Sequence, residues 1–284
     1  MQYIKMLIMS FVSAIFQPLC ASSSAHFAFL NRILGFTEDG KEALFYLSII
    51  SFVFSLCSII VLRKVYAKNA RVIFTQKGKK EKNSKAYIRM TKGMLISLVP
   101  ALLMFIPISR EKFLFDVMAD YLVGVNTLVT AFCTFIGGFI LIIGVWYAKN
   151  KRRSAEKYNN PKLTDIVKMT VYQIPTMFFP GLSNTAMAAV NFELSGLEEY
   201  SIMRDSLIYT MPSVMFLSAA RIIRIIVSGL SIDYIAIAVC AVGAMTASFI
   251  MLNLVKKVNI RRTYTFFSVY SIIFGLCIGV FSFI

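Results

Sequence analysis

Charge is what this sequence has least of. Only 15% of its 284 residues are Asp, Glu, Lys or Arg, where a soluble domain carries about 25%. Hydrophobic residues reach 58% and mean hydropathy is +0.72. Too little polar surface is left to cover a soluble fold, so a water-soluble domain is excluded. Acids are scarcer still: 14 Asp and Glu stand against 30 Lys and Arg, for a net charge of +16. Cysteines that could pair are also lacking. Cys20, Cys57, Cys133, Cys240 and Cys277 are widely spaced, form no C-x-x-C pair and sit inside apolar runs. They read as small packing residues rather than a disulfide or metal framework.

What is present is a series of long apolar runs. A bilayer core about 30 Å thick takes roughly 20 apolar residues in a helix. Six runs meet that need: Leu44–Leu62, Gly93–Ile108, Tyr121–Ala148, Ser206–Ile226, Ile232–Val255 and Thr263–Ile284. Gly93–Ile108 carries Pro100 and Pro107 and is expected to kink. Two further apolar stretches are interrupted. Met1–Leu34 is broken by Gln17-Pro18 and Ser22-Ser23-Ser24; 166–194 is broken by Pro175, Pro180-Gly181 and Ser183-Asn184-Thr185. Each predicts two short half-helices with a polar joint. Irregular backbone at membrane depth survives only where protein buries it or where it lines a cavity.

The basic residues sit between the runs, so their number reflects orientation and not nucleic acid. Eleven Lys and Arg fall within 63–92 beside the single acid Glu81. That loop, 149–168 and 256–262 are expected on the cytoplasmic side, with the acidic stretch Thr37–Glu42 outside. The run Lys77–Lys85 reads as a solvated loop that orients the chain, with anionic headgroups as a second reading. The order hairpin, span, span, span then occurs twice with opposite orientation. The expected fold is an all-α polytopic membrane protein: one membrane-embedded unit over 1–284, with six transmembrane helices plus two re-entrant helical hairpins. Residues 1–148 and 164–284 are its inverted-topology repeats.

In such a fold the polar joints meet near the midplane and form the site. The first joint runs Gln17-Pro18-Leu19-Cys20-Ala21-Ser22-Ser23-Ser24-Ala25-His26, the second Phe179-Pro180-Gly181-Leu182-Ser183-Asn184-Thr185-Ala186. Hydroxyls and free N–H groups at a helix start suit a phosphate. Candidate phosphate-binding residues are Gln17, Ser22, Ser24, Ser183, Asn184 and Thr185. Candidate catalytic residues are Ser23 and His26, the only histidine, which taken alone fits a structural hydrogen-bonding role as readily. No residues are assigned as metal ligands.

These joints resemble the motifs of the undecaprenyl-diphosphate phosphatase family, also called the bacitracin-resistance proteins. That family carries E-G-x-x-E-F-L-P-x-S-S-T-G-H and P-G-x-S-R-S-G. Here Ser22-Ser23-Ser24-Ala25-His26 is similar to the end of the first, and Pro180-Gly181-Leu182-Ser183 to the start of the second. The resemblance implies hydrolysis of a polyprenyl diphosphate lipid in the bacterial plasma membrane, recycling the carrier of cell-wall polymers. It implies a serine or histidine nucleophile, a divalent cation (Mg or Ca) if the chain is active, and an arginine on the diphosphate. It also implies that Met1–Leu34 is retained, although its beginning has the shape of a signal peptide. A second copy, as a homodimer, is a further partner to test.

The chain departs from the motifs where charge matters. Ser13 and Gln17 stand at the two glutamates, Asn184 at the arginine and Ala25 at a glycine. An amide cannot take a proton or replace a guanidinium fork. Glu193 is one residue that could restore a carboxylate, although capping or snorkelling near the cytoplasmic end is the plainer expectation. Any of Arg32, Arg221 and Arg224 could contact a phosphate, although interfacial anchoring is the plainer expectation for all three. Two functions follow: a phosphatase with an altered charge arrangement, or a non-catalytic relative that binds or translocates a polyprenyl phosphate or a similar amphipathic anion.

Overall fold

The computed structural model describes residues 1–75, 84–109, 112–122, 126–151, 160–231, 233–255 and 260–283. The basic run expected at Lys77–Lys85 lies outside them apart from its last two residues, as do 152–159 and 256–259 of the other basic loops. Among the described residues the chain is helical, and its one bridge joins Pro107 to Phe113.

Helix α1 (Gln2–Phe16) leads through the first joint to α2 (Ser23–Leu34), and α3 (Gly40–Val61) follows. Next come α4 (Arg63–Phe74), α5 (Ser84–Ile96), α6 (Val99–Leu103), a short 3-10 turn (Leu114–Asp116), α7 (Val117–Asp120) and α8 (Thr127–Lys151). The second interrupted stretch is α9 (Leu163–Phe178) and α10 (Asn184–Ser195); then come α11 (Glu199–Val227), α12 (Tyr234–Val255) and α13 (Ile260–Phe281). Six segments are long and apolar enough to cross a bilayer: Gly40–Val61, Ser84–Leu103, Thr127–Ala148, Ser201–Val227, Tyr234–Val255 and Tyr264–Phe281. They correspond one for one to the expected runs, with shifted ends.

The largest shift is in the second span. It begins at Ser84, not Gly93, because Lys85, Arg89 and Lys92 continue the helix below the apolar part. It bends between α5 and α6, where Pro100 in the first turn of α6 lacks the N–H that would carry the ladder through. Pro107 falls beyond the helix and joins the bridge to Phe113.

Packing puts the two interrupted stretches inside the bundle. Helix α1 lies against α12 and α3, and α2 touches α8; α9 lies against α5 and α6, and α10 against α8 and α11. Lipid chains are as apolar as leucine, so helices in a membrane associate by close approach of small residues. Helices α8 and α13 follow that rule. A Cβ on Gly275 would meet Phe135 N at 2.7 Å, and one on Gly138 would meet Ser268 O at 2.7 Å. This tight pair walls one side of α2.

Candidate functional site

The two joints are built alike. Ser22 caps α2, its Oγ accepting from Ala25 N–H at 3.2 Å; Ser183 caps α10, its Oγ accepting from Ala186 N–H at 3.3 Å. The next hydroxyl but one lies 3.0 Å from each cap, as Ser22–Ser24 and Ser183–Thr185. Both helices end on a left-handed glycine, Gly35 and Gly196, a common stop that ties off the last carbonyls. Both joints turn on a positive φ two residues before the cap, +61° at Cys20 and +109° at Gly181. These caps explain why apolar chain stops and restarts where it does. Serine satisfies the first free N–H groups and leaves the remainder of each N-terminus open.

The joints also bind each other. Gly181 N–H donates to Ser24 Oγ at 3.0 Å, and the Thr185 hydroxyl donates to the Gln17 carbonyl at 2.9 Å. Within the second pair, Thr176 donates to Asn184 Oδ1. Two helix N-termini thus converge from opposite halves of the chain on one small volume.

That volume is a cavity of about 80 Å³ between the joints and helices α3, α7 and α11. Gln17, Ser23, Ser24, Ser183, Asn184 and Thr185 all line it. Ser23 Oγ and Gln17 Oε1 are buried there without a hydrogen-bond partner among the described residues. Buried polar atoms are rarely left so, and each calls for a ligand or ordered water. Among the described residues the cavity is lined by no carboxylate; its lining cation is Arg221, only 7% exposed. Positive helix ends and a guanidinium, in a water-poor setting, favour an anion.

The other expected site residues lie elsewhere. Ser22 is consumed as a cap. His26 faces away from the cavity into an aromatic stack, its ring 3.6 Å from Phe16 and 4.2 Å from Phe274. Nδ1 is hydrogen-bonded to Ser22 O at 2.6 Å and Nε2 to Tyr270 Oη at 2.7 Å. With both nitrogens engaged and the ring 4% exposed, the imidazole braces the start of α2 against α13. Replacing His26 by leucine is expected to take the ring partner from Tyr270 Oη and one of two partners from the Ser22 carbonyl, which keeps the backbone N–H of residue 26, and to cost about 1–3 kcal/mol. Thermal unfolding in detergent should register that loss, while the cavity keeps its affinity for a phosphate headgroup. An unchanged midpoint with lost binding would instead put the ring in the site.

Ser13 is fully buried and lines no part of the cavity. Glu193 does not snorkel: it is 1% exposed in the last turn of α10, away from the cavity and within electrostatic reach of Tyr264. Arg32 donates to Thr127 Oγ1 at 3.4 Å and to Ser282 O at 3.2 Å. Arg224 stacks over Phe113 at 4.2 Å and lies 3.9 Å from Asp116 Oδ2. Arg221 lines the cavity, which agrees with the phosphate-contact alternative held for it. Thr176, Ser48, Ser51 and Ser218 also line it and went unnoticed in the sequence. A signal existed: Met211, Val214, Ser218 and Arg221 recur at helical spacing along α11.

A divalent cation fits this donor set poorly. Mg²⁺ and Ca²⁺ are held through carboxylate oxygens, whereas the lining offers amides, hydroxyls and a guanidinium. Among the described residues no group of three His, Cys, Asp or Glu side chains comes together.

Comparison with known proteins agrees with the joints. The family model described as Bacitracin resistance protein BacA matches residues 6–277. An undecaprenyl-diphosphatase of Clostridium tetani (strain Massachusetts / E88) is 21% identical over 281 residues, covering 96% of this chain and 93% of that one. An undecaprenyl-diphosphatase of Christiangramia forsetii is 22% identical over 283 residues, covering 98% and 97%.

Proposed function

This chain belongs to the bacitracin-resistance protein BacA family of bacterial integral membrane proteins, and from that premise we propose that it binds a polyprenyl phosphate in the cavity between the two joints without hydrolysing it. The observation that carries the reading is the lining itself. Two capped N-termini and ten hydroxyl or amide side chains are gathered there, and no carboxylate or imidazole stands among the described residues of the lining. Binding a phosphate needs donors and positive potential, which the cavity has. Cleaving one needs, in addition, a group to orient or deprotonate the nucleophile. Ser23 has the position of a nucleophile but no base beside it in the cavity.

The matched caps, glycines and positive-φ turns of the two joints support reading α1–α2 and α9–α10 as re-entrant hairpins of an inverted repeat. On that reading 1–148 and 164–284 are the halves, and the headgroup sits near the midplane with its polyprenyl chain in the bilayer. The cavity wall on α11 climbs from Met211 to Arg221. Arg221 is six residues from the helix end at Val227, roughly 9 Å at the rise of an α-helix. With the basic loops inside, that end is the outer one, so the headgroup reaches the cavity from the outer leaflet.

The test pairs two measurements on purified protein. Phosphate release from undecaprenyl diphosphate is followed with and without Mg²⁺ or Ca²⁺, beside equilibrium binding of undecaprenyl phosphate. Saturable binding with no release above a protein-free control is expected. Release that depends on Ser23 would replace this reading with a phosphatase of altered charge arrangement. Absence of both would remove the cavity as a lipid site.

A further inference from the structure

We propose that Arg221 of α11 is the specificity-determining cation of this cavity, the group that makes it select an isoprenoid phosphate over the neutral isoprenoid alcohol. The proposal rests on the reading of the cavity as a phosphate site and adds to it which side chain recognises the charge, and from which helix.

Four observations converge on this residue. Arg221 lines the cavity with Ser23 and Gln17 of the first joint and with Asn184 and Thr185 of the second. It is more than nine-tenths buried, at 7% exposure. A guanidinium at that depth in a membrane protein is costly, and such residues mark binding sites and pathways. Next, among the described residues the lining offers no other charge of either sign, so the response of the cavity to a charged ligand depends on this group and the helix ends. Third, the two arginines at the outer part of α11 have different surroundings. Arg224 stacks over Phe113 at 4.2 Å and lies 3.9 Å from Asp116 Oδ2, whereas Arg221, also within electrostatic reach of Asp116, lines the cavity.

The fourth observation is the pair of buried polar atoms without a partner among the described residues, Ser23 Oγ and Gln17 Oε1. They mark the joint side of the same cavity. A phosphate placed there takes donors from the α2 and α10 N-termini on one side and the guanidinium from the other. Arginine suits that task because its planar fork meets two phosphate oxygens at once. Asn184, at the first position of α10, is too short and uncharged to do the same. The positive charge expected from the second joint is therefore supplied from a different helix, across the cavity.

The test uses farnesyl phosphate and farnesol as probes of the full-length protein in detergent, with binding read by microscale thermophoresis at several salt concentrations. Wild type is expected to prefer the phosphate, with an affinity that falls as salt rises. Arg221→Gln should lose at least about tenfold in affinity for farnesyl phosphate, as expected for one charge-assisted fork, while farnesol binding stays as it was. Arg221→Lys should keep the salt dependence and recover part of the preference. Arg224→Gln, outside the cavity, should leave the preference intact. If Arg221→Gln fails to give monodisperse protein, the double variant Arg221→Gln/Asn184→Arg, which returns a guanidinium from the opposite wall, decides the question by regaining the preference or lacking it. Wild type that ignores farnesyl phosphate would overturn the cavity reading itself. Wild type that prefers it, with Arg221→Gln preferring it equally, would overturn the role of Arg221 alone.

Discussion

Placing an alanine at position 181 is expected to cost about 3–5 kcal/mol of stability and to abolish binding in the cavity. Two penalties add. The residue has φ +109°, a conformation that L side chains adopt only under strain. Its new Cβ would also stand 2.5 Å from Thr130 O and 2.9 Å from Thr134 N, both backbone atoms of α8 that cannot swing aside. Any displacement pulls Gly181 N–H off Ser24 Oγ and parts the two joints. The comparison is Gly35→Ala. Gly35 also has a positive φ, +53°, but a Cβ there would meet nothing within 4 Å, so strain alone remains, about 1 kcal/mol. Unfolding midpoints in detergent and undecaprenyl phosphate binding, measured on both variants, separate the two terms. Equal effects at both positions would mean that the joints are not held by this contact.

Restoring charge to the two joints should produce turnover. In the variant Gln17→Glu/Asn184→Arg, phosphate release from undecaprenyl diphosphate is expected to rise about 10²–10³-fold above the protein-free background, at which wild type stays. Gln17 and Ser23 line the same cavity, and both carry a buried oxygen without a partner among the described residues. A carboxylate at 17 therefore supplies a proton acceptor beside a hydroxyl that lacks one. An arginine at 184 adds a second fork for the diphosphate. Ser13 is left unchanged, because it is fully buried and does not line the cavity, and a carboxylate there would be desolvated without reaching the headgroup. The assay is run with and without Mg²⁺, and lipid binding is measured on the same preparation. A variant that binds the lipid and still releases no phosphate would sink the idea that the missing charges account for the loss.

Legibility followed the strength of the local signal. The six spans were readable because some twenty apolar residues in a row have one use. Their ends were less so. The run at Gly93 begins at Ser84 in the structure, because lysine and arginine extend a helix as readily as leucine once water can reach them. The joints were readable from proline, glycine and serine clusters, and the six polar residues that line the cavity there are all among the candidates read from the sequence. His26 shows where local signal ends. A lone histidine one turn into a helix is compatible with catalysis or with bracing, and only its aromatic neighbours Phe16 and Phe274, the latter far along the chain, show the ring stacked and doubly hydrogen-bonded.

By itself the sequence determined that this protein lives in a membrane, how many times its helices can cross, and which two stretches must interrupt a helix. Those properties come from composition and from contacts between residues near in the chain. Tertiary structure alone decided which side chains share the cavity. Gln17 and Thr185, or Ser24 and Gly181, meet only because the two joints fold against each other. Which of Arg32, Arg221 and Arg224 lines the cavity was decided in the same way. The face of α11 that carries Arg221 packs toward the joints, and no periodicity within one helix says what stands opposite.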